Sequence, residues 1–217
     1  MNGNGSDDET EIDRSGNTNT LYETTGDEID VVSVTNHPTG YSGSCRDFED
    51  TNTEAFTNGT VDVNGANVSM ALWIKNETGA AFDYYVSQYG ATTNRSVLVY
   101  LDPELDLSVR ISLNGSAVTT LDTGLDSNDG VWQHVGWTYD GTTLRSYTNG
   151  VAGATASVSG TIYDGSEPFI VGAGTDTGEN NIDGLMDELI ILNRTLTPTE
   201  MLEIYTSGID GSNGGND

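Results

Sequence analysis

The sequence predicts an all-β chain: an antiparallel two-sheet jelly-roll sandwich with one short C-terminal helix. Three observations predict it. Apolar residues recur with period two in several segments of the 217-residue chain. Two of these segments run into Asn-Gly pairs, Asn114-Gly115 and Asn149-Gly150, which mark tight turns between strands. A single helix-capping signature, Thr197-Pro198-Thr199-Glu200, stands near the end.

Taken in order, residues 1–27 are rich in Gly, Asn, Asp, Ser and Thr and read as a flexible acidic N-terminal arm. Such an arm gains order only by lying on something larger, a neighbouring subunit or its own domain. Residues 28–208 form the sandwich, and residues 209–217 a polar C-terminal tail. Val68, Met70, Leu72 and Ile74 make one alternating set. Leu105, Leu107, Val109, Ile111 and Leu113 alternate with Asp106, Ser108, Arg110 and Ser112, the pattern of a strand with one buried and one wet face. Trp132 to Tyr139 is a third set, and Trp132 and Trp137 are expected to fill the space between sheets. Leu144 to Thr148, Phe169 to Val171 and Leu185 to Leu192 supply later strands, and Gly172 and Gly184 mark close backbone approach or a bend. In the helix, Thr197 caps, Pro198 takes the first position and Glu200 reaches back. Met201, Leu202 and Tyr205 give an apolar face, and Gly208 can terminate it.

Charge narrows the function. There are 34 acidic against 7 basic residues, a formal charge of −27, and Lys75 is the sole lysine. The acids are spread over strands and turns instead of forming one block. That pattern fits a surface that stays hydrated at very high salt, where self-repulsion is screened within a few ångströms. The chain has no basic patch for nucleic acid and no apolar stretch of membrane-spanning length, so neither nucleic-acid binding nor membrane insertion is expected. Cys45 is the single cysteine and cannot form an internal disulfide. The opening MNGNGSDDETEIDRSG has neither a basic start nor an apolar segment, so synthesis in the cytoplasm without the usual export signal is expected. His134, on a strand between aromatic residues, reads as a structural histidine. Asn-x-Ser/Thr sequons occur at Asn4, Asn58, Asn67, Asn76, Asn94, Asn114 and Asn193.

Three segments together carry a resemblance: AFTNGTVDVNGANVSMALWIK (55–75), DGVWQHVGWTYDGTTLRSYTNGV (129–151) and FIVGAGTDTGENNIDGLMDELIILNRTLTPTEMLEIY (169–205). In order and content they resemble the laminin-G-like, concanavalin-A-like lectin-glucanase jelly rolls. The resemblance implies glycan binding as the usual activity. It also implies a structural Ca²⁺ between the opening segment and the penultimate strand, which here would fall to Glu49 and Asp187, with Asp50 standing where the family has Gly. Laminarinase-type relatives carry Glu-x-Asp-x-x-Glu. Glu28-Ile29-Asp30-Val31-Val32-Ser33 comes within one residue of it, but Ser33 replaces the last carboxylate, and one of the two groups that glycoside hydrolysis needs is lost. No enzymatic activity is expected. For a glycan, the run FDYYVSQYG (82–90) offers Tyr84, Tyr85 and Tyr89, with Tyr100, Tyr139 and Tyr163 elsewhere. Adjacent Tyr84 and Tyr85 cannot both face one core on a regular strand.

The functional expectation is a non-catalytic structural and adhesive surface protein, a capsid or tail component of a haloarchaeal virus with host-glycan binding. It would be made in the host cytoplasm and displayed on the virion surface as a homo-oligomer, held to other virion subunits by its N-terminal arm. The alternative is a secreted or cell-surface carbohydrate-binding module of a halophile. A glycoside hydrolase ranks third.

Overall fold

The computed structural model describes residues 10–11, 19–23, 29–33, 44–50, 54–78, 82–126, 130–174 and 179–207. Two antiparallel sheets face each other. The eight-stranded sheet runs, in spatial order, β1 (Thr10–Glu11), β2 (Leu21–Glu23), β5 (Phe56–Asn58), β14 (Phe169–Val171), β7 (Tyr84–Tyr89), β8 (Arg95–Leu101), β9 (Asp106–Gly115) and β10 (Val118–Asp126). The seven-stranded sheet runs β13 (Val151–Ser157), β12 (Thr143–Thr148), β11 (Gln133–Tyr139), β6 (Val68–Thr78), β15 (Asp183–Leu192), β4 (Ser44–Phe48) and β3 (Asp30–Ser33). The helix α1 (Pro198–Ser207) follows. The two-sheet jelly-roll class expected from the sequence is the class observed.

Period two places the core. Val68, Met70, Leu72 and Ile74 of β6 and Val135, Trp137 and Tyr139 of β11 point inward from the seven-stranded sheet. They meet Val97, Val99 and Leu101 of β8 and Leu107, Val109 and Ile111 of β9. Burying each large apolar side chain contributes about 1.5–3 kcal/mol. Tyr139 can join because its hydroxyl donates to the carbonyls of Val158 (3.1 Å) and Gly160 (2.9 Å).

Residues of the opposite parity on β6 and β11 face outward. Trp73 and His134 lie there, and so does Trp132, which clusters with Trp73 and Cys45 and not between the sheets. Its even position, in step with His134 and out of step with Trp137, is the reason. The helix covers this outer face. Met201 is fully buried with Ala71, Tyr147 and Leu196, and Tyr205 stacks on Trp73 at 5.5 Å. The capping box forms: the Glu200 N–H donates to Thr197 Oγ1 (3.2 Å) and the Thr197 N–H donates to Glu200 Oε2 (2.8 Å). Leu202, expected on the apolar face, is exposed.

Some local expectations give way to turn chemistry. Leu105 is not in β9. It adopts a left-handed φ of 67° and donates its N–H to the Asp102 carbonyl (3.0 Å), so the strand begins at Asp106. Nor is the outer face of β9 wet, since Ser108 and Ser112 are buried. Asn149 (φ 50°) and Gly150 (φ 75°) make the two-residue turn between β12 and β13. Asn114-Gly115 instead ends β9, and Asn114 Oδ1 accepts the N–H groups of Ser116 and Ala117 to build a longer turn.

Residues 10–11 and 21–23, within the segment read as an arm, are strands at one edge of the eight-stranded sheet, and β2 pairs with β5. Residues 19–20 lead into β2, and the remaining arm positions, Glu28, Gly208 and the 209–217 tail lie outside the described residues. No helix of the described residues is long and apolar enough to cross a membrane.

Candidate functional site

The aromatic run 82–90 spans β7, and its geometry is decided by a β-bulge. Tyr84 pairs with Tyr100, but Val86 pairs with Val99, so Tyr85 is the extra residue. With the bulge, Tyr85 and Val86 both face the core, where Tyr85 is 1% exposed and its hydroxyl donates to Asn76 Oδ1. Of the three tyrosines considered for a glycan, Tyr85 is therefore a core residue. Tyr84 is half-buried on the outer face. Tyr89 is also half-buried but lies at the far end of β7, against Arg95, whose guanidinium sits 5.0 Å from its ring.

Register assembles a shelf on the outer face of the eight-stranded sheet. Residues directly opposite one another share a face. Tyr84 opposes Tyr100, Tyr100 opposes Ser108, and Ser108 opposes Asp122, one row across four strands. The neighbouring row runs Ser87, Leu98, Arg110 and Thr120. Tyr100 is the floor, 1% exposed. Tyr84 meets its ring edge-on at 5.9 Å, and Phe82 stacks parallel to it at 6.4 Å. Arg110 places its guanidinium carbon 4.3 Å from the Tyr100 centroid and donates from Nε to Thr120 Oγ1 (3.3 Å). Phe82 is 39% exposed and holds a left-handed φ of 72°, an unusual conformation for an aromatic residue, with its N–H donating to the Leu101 carbonyl (2.8 Å).

Polar groups rim the shelf. Ser108 Oγ donates to Asp102 Oδ2 (3.3 Å), and Asp102 Oδ1 accepts the N–H groups of Glu104 and Asp106. Burial raises the Tyr84 and Tyr100 phenols above their ordinary range, partly offset by the nearby Arg110 charge, so both remain hydroxyl donors at neutral pH. Desolvation, then the charges of Asp122 and Asp102, push the Asp106 carboxyl up. Exposed aromatic surface beside hydroxyls, carboxylates and one guanidinium can hold the apolar face of a sugar ring and bond its hydroxyls. Tyr100, available by its chemistry but outside the run 82–90, joins Phe82 of that run here, and Arg110, which the sequence does not mark for a sugar, completes the group. Tyr163 and Tyr139 lie elsewhere.

The two carboxylates considered for calcium are set apart. Phe48 pairs with Gly184 and Arg46 with Met186, which puts Asp187 level with Cys45, four residues along β4 from Glu49. At about 3.3 Å per residue that is roughly 13 Å of strand, against oxygen ligands that crowd within about 2.6 Å of one ion. Glu49 is exposed and gives its N–H to Glu54 Oε2 (2.7 Å), while Asp187 Oδ1 accepts the N–H of Glu188 (2.8 Å). Among the described residues, no group of three or more His, Cys, Asp or Glu side chains is placed to hold a metal ion. The residue pair does not fit the ion. Of the hydrolase-like segment, residues 30–33 form the edge strand β3. His134 is buried, with Trp73 5.2 Å and Tyr205 5.8 Å away, and its backbone N–H donates to Asn149 Oδ1 (2.9 Å).

Comparison with known proteins agrees with this architecture. The Laminin_G_3 family model, described as the concanavalin A-like lectin/glucanases superfamily, matches residues 49–201. No curated protein sequence matches. Among solved structures, the chain is similar to domain 4 of AbnA, a GH43 extracellular arabinanase from Geobacillus stearothermophilus, in complex with arabinotriose. The identity is 18% and the TM-score 0.64, covering 89% of this chain and 91% of that one. It is similar to the binding domain of Paraclostridial Mosquitocidal Protein 1, at 16% identity and TM-score 0.69, covering 89% of this chain but 48% of that one, so it spans about half of that protein's binding domain. It is also similar to the CBM40 of the Ruminococcus gnavus IT-sialidase bound to alpha2,3 sialyllactose, at 14% identity and TM-score 0.53, covering 64% and 83%.

Proposed function

This chain belongs to the Laminin_G_3 family of concanavalin A-like lectin/glucanase domains, and from that premise we propose that it is a non-catalytic glycan-binding domain. The observation that carries the reading is the outer-face shelf, in which Phe82 and Tyr84 flank the buried Tyr100 beside Arg110 and the Asp102 and Asp122 carboxylates. Solved structures of similar fold include domains whose titles name arabinotriose and sialyllactose as ligands, which supports a sugar as the class of partner. A binding role in place of hydrolysis is supported by similar solved structures whose titles name binding domains.

The setting belongs to the same proposal. The −27 charge with one lysine supports work at very high salt, and the finer reading is a surface component of a haloarchaeal virion that meets a host glycan. A secreted module of a halophile uses the same shelf. The test is a panel of immobilised polysaccharides, host surface glycan included, probed in several-molar NaCl, with a reducing-sugar assay in parallel. Retention on at least one glycan, without sugar release, is expected. No retention across the panel contradicts binding, and sustained sugar release contradicts the non-catalytic assignment.

A further inference from the structure

A sheet edge exposes backbone donors and acceptors that can pair with another chain, and proteins blunt such edges with charge or proline. The two sheets have four edge strands, β1, β10, β13 and β3. Of these, β10 carries the carboxylates of Asp122 and Asp126. β13 reads Val-Ala-Gly-Ala-Thr-Ala-Ser, with no charge and no proline, and all but one of its residues are exposed. The gap is wider than the strand: no residue from Ser146 to Tyr163 is charged, in a chain of 34 acids and 7 bases.

Beside this edge lies exposed apolar surface. Val151, the first residue of β13, is 66% exposed, and Leu202 of α1 is 45% exposed. Leu202 lies against the turn that leads into Val151, since a Cβ added at Gly150 would meet Leu202 Cδ1 at 2.9 Å. β13 has a bulge between its pairs with Arg145 and Tyr147, which bends the strand but sets no charge on it.

We infer that the β13 edge, with Val151 and Leu202, is the contact surface for a second copy of this chain. The two β13 strands pair antiparallel about a two-fold axis and join the seven-stranded sheets of both copies. Charge selects the occupant. Two chains of −27 repel wherever carboxylates approach, and β13 presents none. Salt strengthens the contact by screening the remaining repulsion. A seven-residue strand and two apolar side chains make a small interface, so association is concentration-dependent, with a Kd on the order of micromolar.

Sedimentation equilibrium of the full chain in several-molar KCl tests the inference, with circular dichroism reporting the fold of each variant. The wild type is expected to approach twice the 23.0 kDa chain mass by about 100 µM. Ala154→Asp puts a carboxylate on the exposed strand and is expected to weaken the dimer at least tenfold, whereas Ala154→Ser leaves it intact. Leu202→Asp, on the helix side, gives the same weakening without touching the strand. A wild type that stays monomeric under these conditions overturns the inference, as does a dimer that survives both Asp variants.

Discussion

Replacing Gly172 by Ala tests the close packing that supports the shelf. Gly172 follows β14 with φ 91°, its N–H donates to the Tyr85 carbonyl (3.0 Å), and its own carbonyl accepts the Ile182 N–H (3.0 Å). It thus ties the bulge that aims Tyr84 outward to the strand behind it. An added Cβ would stand 2.4 Å from Phe48 Cε1 and 2.5 Å from Cδ1, and Phe48 is itself fully buried, so its ring has no room to retreat. The left-handed backbone costs an L-residue about 1–2 kcal/mol. Overpacking adds about 1–3 kcal/mol. Together they give about 2–5 kcal/mol, and at roughly 2–4 °C per kcal/mol for a chain of this size the Tm falls by about 4–20 °C. Thermal melts by circular dichroism measure it. Gly59→Ala is the control: nothing lies within 4 Å of its added Cβ, and its Tm stays within about 2 °C of wild type. Phe48→Ala removes the obstructing ring, so the double variant loses less than the sum of the single losses. A Gly172→Ala protein melting within 2 °C of wild type, or strict additivity with Phe48→Ala, refutes the reasoning.

Other outcomes follow from the same structure. Thr197→Ala removes the cap that receives the Glu200 N–H and lowers stability by about 1 kcal/mol, a Tm loss of about 2–4 °C; an unchanged melt contradicts it. Burial raises the Cys45 thiol to about 11 and leaves it 3% exposed, so an Ellman assay at pH 8 detects no thiol in the native protein and one after denaturation. Rapid stoichiometric labelling of the native chain is the contrary result. Melting temperature rises steeply from dilute buffer to several-molar KCl, because screening relieves the −27 self-repulsion, and a salt-independent midpoint removes the halophilic reading.

Much of the sandwich is legible in the sequence because one face of each strand is buried. The alternation of β6 announces its inner residues, and Thr197 and Glu200 announce the helix start by local chemistry alone. The parity of Trp132 with His134 carries the signal that it faces outward, although its size suggests the core. The shelf was harder to see. Tyr100 stands in the run Val97-Leu98-Val99-Tyr100-Leu101, in which both faces are apolar, so period two cannot say which face it takes. Alternation says that Tyr84 and Tyr85 part, but which of them takes the core depends on the register of β7 against β8. Arg110 is visible as a polar position in an alternating strand, but its stack on Tyr100 needs the register of β8 against β9. The same dependence on register separates Glu49 from Asp187, which a family pattern brings together on paper.

The most direct measurement is calorimetric titration of the best-retained glycan into the wild type, Tyr84→Ala and Thr199→Ala, all in several-molar NaCl. Tyr84 stands on the shelf and Thr199 is exposed on the helix over the other sheet. Truncating a central aromatic contact costs on the order of 2 kcal/mol, so Tyr84→Ala is expected to weaken binding about 10- to 30-fold while its fold is kept. Thr199→Ala binds as the wild type does. Equal affinity of wild type and Tyr84→Ala would contradict the assignment of this face as the glycan site.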